Sequence, residues 1–258
     1  MDFLFVFIYG LLIGSFINSL IYRMENNLSF IWSRSFCPNC FKNLGFWDLI
    51  PVLSFLFLKG KCRYCKKPIS FQYPLVEILT GFIFLLVFSH FKNIDILTLI
   101  FYLITACFLI IVFVYDLKHY IIPDKIVFPA IGIVFLYRIF EFLKFGFINS
   151  EIFFNFLIAA FLSSTFFLII FLISKGEWMG FGDVKLIFLI GLFLGFPSIL
   201  VALFSSFVFG AIIGIVLIFL KKKSFESQIP FGPFLVIGAF IGLFWGKEII
   251  DLYLSFSF

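Results

Sequence analysis

The chain has 258 residues, of which 63% are hydrophobic and only 13% charged, with a net charge of +5 and a mean hydropathy of +1.20. A soluble chain carries about 25% charged residues and at most about half apolar ones, so the polar residues left here could not cover a surface facing water. The chain is therefore read as a membrane protein. This excludes a cytosolic enzyme, a disulfide-rich secreted domain and a nucleic-acid-binding module, whatever the positive charge suggests.

A helix needs about 20 mostly apolar residues to cross about 30 Å of hydrocarbon. By that measure spans fall at 3–22, 75–91, 97–115, 126–143, 152–173, 184–196, 198–220 and 232–254. Residues 3–22 form the first span and not a cleavable signal peptide, because Met1-Asp2 supplies no basic region and no small-residue cleavage site follows. The stretch 184–196 is short for a crossing. However, 184–220 is roughly 55 Å long at about 1.5 Å per residue, which suits two crossings turning at Gly195-Phe196-Pro197-Ser198. The expected fold is an all-α polytopic membrane protein of about eight transmembrane helices: a first helix (1–22), a polar loop (23–73) and a seven-helix remainder (74–258).

Lys and Arg accumulate in the short loops on the cytoplasmic side. The loop 23–73 and the loops on its side by parity hold fifteen of them, including Arg34 and the run Lys221-Lys222-Lys223. The other side holds three, Lys92, Arg138 and Lys144. This places the N-terminus outside and the polar loop in the cytoplasm. Gly-x-x-x-Gly spacings at Gly10/Gly14, Gly191/Gly195, Gly210/Gly214 and Gly238/Gly242/Gly246 mark faces where helices approach closely, within one bundle or across a dimer. The oligomeric state stays open.

Within the polar loop, Cys37-Pro-Asn-Cys40 and Cys62-Arg-Tyr-Cys65 are two Cys-x2-Cys pairs separated by 21 residues. Each pair can set two thiolates on one ion, and together they supply the four sulfur ligands of a structural zinc site. A cytoplasmic loop keeps thiols reduced, which disfavours the alternative of a disulfide or redox pair; inert thiols are the third reading. Lys61, Arg63, Lys66 and Lys67 would offset the charge of a zinc tetrathiolate. With every ligand position filled, the ion would organise the loop and take no part in chemistry. Cys107, alone in the third span, reads as a small buried residue.

Acids inside a membrane are costly and mark function by default. Asp116 closes the third span and Asp183, in Gly180-Phe181-Gly182-Asp183, opens the sixth; two crossings separate them, so both lie at one face. Two carboxyls brought together share a proton. That arrangement suits peptide hydrolysis, in which an ionised Asp activates water while a protonated one hydrogen-bonds the scissile carbonyl. Gly180 and Gly182 let the backbone approach an extended substrate. The alternative is that each Asp caps a helix or pairs with Lys118 or Lys185. Asp124 follows Pro123 as the start of the fourth span, and Glu77 and Asp95 read as solvated residues at span edges. There is no His-Glu-x-x-His, Gly-x-Ser-x-Gly or phosphate-binding loop.

Six segments in register, Gly14-Ser15-Phe16-Ile17-Asn18 with Tyr22-Arg23, the four-cysteine loop with Gly60-Lys61-Cys62, Tyr73-Pro74-Leu75-Val76-Glu77, Asp116 with Ile122-Pro123-Asp124, Gly180-Phe181-Gly182-Asp183-Val184-Lys185, and Ile229-Pro230-Phe231-Gly232-Pro233, together resemble the prepilin peptidases, also called type IV leader peptidases. The resemblance implies a bacterial inner-membrane aspartic endopeptidase that removes the basic leader from type IV prepilins and type II secretion pseudopilins at the cytoplasmic face. Asp116 and Asp183 would then be the catalytic pair. It implies as well, and it alone implies, S-adenosylmethionine-dependent N-methylation of the new N-terminal residue. Ser19 after Asn18 departs from the apolar residue more usual in the family. A presenilin-like protease shares Gly-x-Gly-Asp but lacks the cysteine loop. A proton-coupled transporter would favour acids at mid-membrane and paired inverted repeats, and an inactive zinc-binding scaffold would survive loss of either Asp.

Overall fold

The structure is a computed structural model and describes residues 2–29, 35–145, 150–220 and 229–256. Arg34 and Lys221-Lys222-Lys223, which contributed to the charge asymmetry, lie outside the described residues. Among the described residues all regular structure is helical, with two isolated β-bridges and no strand. Seven helices are long and apolar enough to cross a membrane: α1 (Asp2–Glu25), α3 (Gln72–Phe91), α4 (Ile96–His119), α5 (Asp124–Phe145), α6 (Ser150–Ile173), α8 (Ser198–Phe219) and α9 (Gly232–Phe256). Two shorter helices are α2 (Leu53–Phe57) in the polar loop and α7 (Phe181–Leu194). The all-helical membrane architecture is as expected, but seven helices reach spanning length where about eight were expected, because the stretch read as the sixth crossing folds as the 14-residue α7.

The chain forms two compact units, Met1–Cys107 and Phe108–Phe258, with the boundary inside α4. In the first, α1 lies along α3, and the glycines explain how closely. A Cβ at Gly10 would sit 2.8 Å from Gly81 Cα, and one at Gly14 would sit 2.7 Å from Glu77 Cα. Where lipid tails are as apolar as the side chains, such backbone contact is what holds a helix pair together.

In the second unit α7 is the central helix, touching α5, α6, α8 and α9. Leu186, Ile187, Leu189, Ile190 and Leu192 are all at most 1% exposed. Gly191 packs on the Ala159 and Ala160 backbone of α6, while Gly238 and Gly242 of α9 pack on Ser198, Ala202 and Ser206 of α8. These glycines thus serve packing within the bundle. Gly210 and Gly214 have only ordinary contacts.

With 14 residues, α7 is about 21 Å long, so its last carbonyls end where water is scarce and need partners from the protein. Arg138 supplies them. Counted above with the outward loops, it lies inside α5, 4% exposed, and its guanidinium donates to Leu192 O (3.3 Å), Phe193 O (2.5 Å) and Glu141 Oε2 (2.6 Å). Beyond the helix, Gly195 takes a positive φ of 68° and the Phe196 N–H donates to Asn155 Oδ1 at 2.7 Å.

Candidate active site and metal centre

Asp116 stands in the last turn of α4 and Asp183 in the first turn of α7, 4% and 8% exposed. Both belong to the second unit, and they lie close enough for the charge of Asp116 to act on Asp183. Each carboxylate is held by a glycine N–H: Gly180 donates to Asp183 Oδ2 at 3.2 Å, and Gly232, at the start of α9, donates to Asp116. Asp183 therefore also caps its own helix, so the capping role weighed from sequence is present alongside the pairing. Ile122 lies between the two glycine-bearing turns. A Cβ on Gly182 would meet it at 3.0 Å and one on Gly232 at 3.3 Å. Tighter than either, a Cβ on Gly232 would come within 2.5 Å of Asp116 Oδ2. Lys185 does not pair with Asp183; its Nζ pairs with Asp124. Asp124 opens α5 as expected.

In the first unit the four thiols Cys37, Cys40, Cys62 and Cys65 converge, with ligand atoms all within 4.8 Å of one another, and none forms a disulfide. Cys37 Sγ and Cys65 Sγ are 3.9 Å apart, close to the roughly 3.8 Å that two sulfurs have when each lies about 2.3 Å from a tetrahedral zinc. The two Cys-x2-Cys turns share one backbone design. In the first, Cys37 N–H donates to Lys42 O and Phe41 N–H to Cys37 O; in the second, Cys62 N–H donates to Lys67 O and Lys66 N–H to Cys62 O. Phe41 and Lys66 both have positive φ, 57° and 61°. The leading sulfur of each turn accepts two backbone N–H groups, from Asn39 and Cys40 at Cys37 and from Tyr64 and Cys65 at Cys62. Burial pushes the Cys37 thiol up to about 11. Burial pushes Cys62 up as well, but the N–H groups of Cys65 and Tyr64, with the Cys37 thiol, bring it down to about 7. The donor set fits a metal ion that binds four thiolates. Cys107 is half-buried and stands apart.

Glu77, expected to be solvated at a span edge, is 6% exposed. Its Oε2 accepts the Val52 N–H at 2.7 Å, and its carboxylate also accepts the Ser15 hydroxyl. A buried carboxylate needs such donors to offset lost water, and here they join the loop to the helix pair. Asn18, 3% exposed, donates to Tyr73 O at 3.0 Å, while its Oδ1 is a buried acceptor without a hydrogen-bond partner. The sequence signal for this cluster was two polar residues one turn apart on each apolar helix.

Residues 8–91 match the Bacterial Peptidase A24 N-terminal domain and residues 103–215 match the Type IV leader peptidase family. The chain is 32% identical to a Legionella pneumophila protein named prepilin leader peptidase/N-methyltransferase, covering 98% of this chain and 95% of that one. Proteins of the same name from Bacillus subtilis (31% identity, 98% of both chains) and Pseudomonas aeruginosa (30%, 96% of this chain and 92% of that one) are similarly related. No solved structure matches. With relatives matched over nearly their whole length, and with the family's domains covering both the cysteine loop and the paired aspartates, the chain belongs to the type IV leader peptidase family.

Proposed function

We propose that the chain is the prepilin leader peptidase its relatives are named for, with Asp116 and Asp183 as the catalytic pair. The observation that carries this reading is two buried carboxyls in electrostatic reach of each other, each steadied by one glycine N–H. One carboxylate, ionised, takes a proton from the attacking water. The other, protonated, hydrogen-bonds the scissile carbonyl and then gives its proton to the leaving amine. The acids stand at helix ends, where a leader joins the apolar helix of a prepilin, and not at mid-helix as a proton-coupled transporter would favour. The Lys and Arg asymmetry of the sequence supports a cytoplasmic position for this face. The test is leader removal from a model prepilin in membranes, comparing wild type with Asp116→Asn and Asp183→Asn at matched expression. Both substitutions abolish cleavage if the pairing is right, and retained cleavage in either sinks it.

Zinc is the ion we assign to the four cysteines, as an organiser of the loop. The relatives' name also includes N-methyltransferase. S-adenosylmethionine, which supplies an electrophilic methyl group when bound, is cationic at its sulfonium and amino groups. The buried acceptor Asn18 Oδ1 and the Glu77 carboxylate, one turn beyond the Tyr73 carbonyl that Asn18 bonds, fit such groups and would hold them. Weakened equilibrium binding of S-adenosylmethionine by Asn18→Leu, with leader removal retained, is the result expected, and unchanged binding overturns it.

A further inference from the structure

Between the two cysteine pairs runs a segment whose composition does not belong in a polar loop. From Phe46 to Leu58 only Asp48 and Ser54 interrupt the apolar residues. An apolar run of about 10–14 residues is too short to cross a bilayer and is characteristic of interfacial segments. It is not used as a core. Phe46 is 78% exposed, Trp47 71%, Leu56 62% and Phe57 83%. Its one charge is neutralised, because Asp48 Oδ1 accepts from Arg63 at 2.6 Å while Oδ2 takes the Gly45 N–H at 3.1 Å. Exposed apolar patches rimmed by polar groups mark interaction surfaces.

Three observations say what covers this one. The first is position. Val52, in the middle of the segment, donates its N–H to Glu77, which stands five residues after Gln72 at the start of α3. The middle of the segment is thereby tied to the first two turns of a membrane-spanning helix, at the end where that helix leaves the loop. The second is charge: Lys42, Lys59, Lys61, Lys66 and Lys67 are exposed around the segment, and Asp48 is the only acid between Asn26 and Gln72. Aromatic residues with a lysine rim fit a bilayer surface carrying anionic headgroups, and they repel a basic partner. The third is continuity, since both ends of the loop run into membrane-spanning helices, α1 and α3.

We propose that Phe46–Leu58 is a membrane-docking segment, presented to anionic lipid by the two cysteine turns that clamp its ends. The four-thiol centre then has a mechanical task. It forces a 13-residue apolar stretch to lie flat at the interface, where it would otherwise collapse onto the loop or draw other chains.

Trp47 is the built-in probe. The full-length protein carrying Trp32→Phe, Trp178→Phe and Trp245→Phe is reconstituted into phosphatidylcholine vesicles with one quarter phosphatidylglycerol, the phosphatidylcholine brominated either near the headgroup or near the chain ends. Headgroup-proximal bromine is expected to quench Trp47 about twofold more than chain-end bromine, as interfacial depth requires. The contrast fades when phosphatidylglycerol is omitted and in the combined Lys42→Gln, Lys59→Gln variant at unchanged metal content. Full quenching by aqueous acrylamide with none by either lipid overturns the proposal. Shielding of Trp47 from both quenchers also overturns it, showing that protein covers the segment.

Discussion

Gly232→Ala isolates the geometry of the Asp116 carboxyl, one of the proposed catalytic pair. The added Cβ would stand 2.5 Å from Asp116 Oδ2 and 3.2 Å from its Cγ, where ordinary contacts begin at 3.4 Å. The backbone at this position is not in the left-handed region, so alanine is sterically permitted by the main chain, and the atom in its way is the end of a side chain that can turn aside. The helix therefore forms, and the carboxyl moves by about 0.9 Å, the gap between the 2.5 Å approach and the 3.4 Å limit. A misplacement of about 1 Å at a reacting group costs about 100-fold, or about 2.7 kcal/mol in the barrier. The assay is the initial rate of leader removal in detergent against substrate concentration, with melting temperature and metal content as checks on folding. The loss is expected in kcat with KM little changed. Gly132→Ala, whose Cβ meets nothing within 4 Å, and Gly210→Ala, whose nearest contact is Phe234 at 3.4 Å, serve as controls and keep wild-type rates. A Gly232→Ala enzyme that cleaves within about threefold of wild type would refute the reasoning, because the site would then tolerate a displaced Asp116.

Loss of any one thiol, Cys37→Ser or Cys62→Ser, lowers bound metal from near stoichiometric to a small fraction by elemental analysis; retention of full metal would show that the four-thiol set is not the ligand set. Arg138→Met strips the donors from Leu192 O and Phe193 O and leaves Glu141 without its partner. Unfolding in detergent should become easier by about 3 kcal/mol, and an unchanged melting temperature would remove Arg138 from the support of α7. Glu77→Ala leaves the Val52 N–H without its acceptor. Limited proteolysis between the cysteine pairs should then accelerate by at least about tenfold, corresponding to loss of a charged hydrogen bond of about 1.5 kcal/mol or more; an unchanged cleavage rate would mean the loop is fastened elsewhere.

Composition by itself determined the solvent. With so few charges the chain has no alternative to lipid, and hydrophobic run length then located the seven spanning helices, while it read the 14-residue α7 as an eighth crossing. The cysteine pairs and the two aspartates were legible for the same reason: each is a chemically expensive residue in surroundings that give it no ordinary use. What the sequence could not reveal is which groups satisfy one another. Glu77 reads as an edge residue until Val52 and Ser15 are folded onto it, and Arg138 reads as a loop charge until α5 is packed beside the end of α7. Gly232 reads as one residue of a Pro-Phe-Gly-Pro turn until its N–H meets Asp116. The exposed face of Phe46–Leu58 appears only when the cysteine turns are closed. Hydrophobicity is additive along a chain and can be read locally, whereas hydrogen-bond satisfaction and steric fit depend on pairs far apart in sequence, so only the tertiary structure decides them.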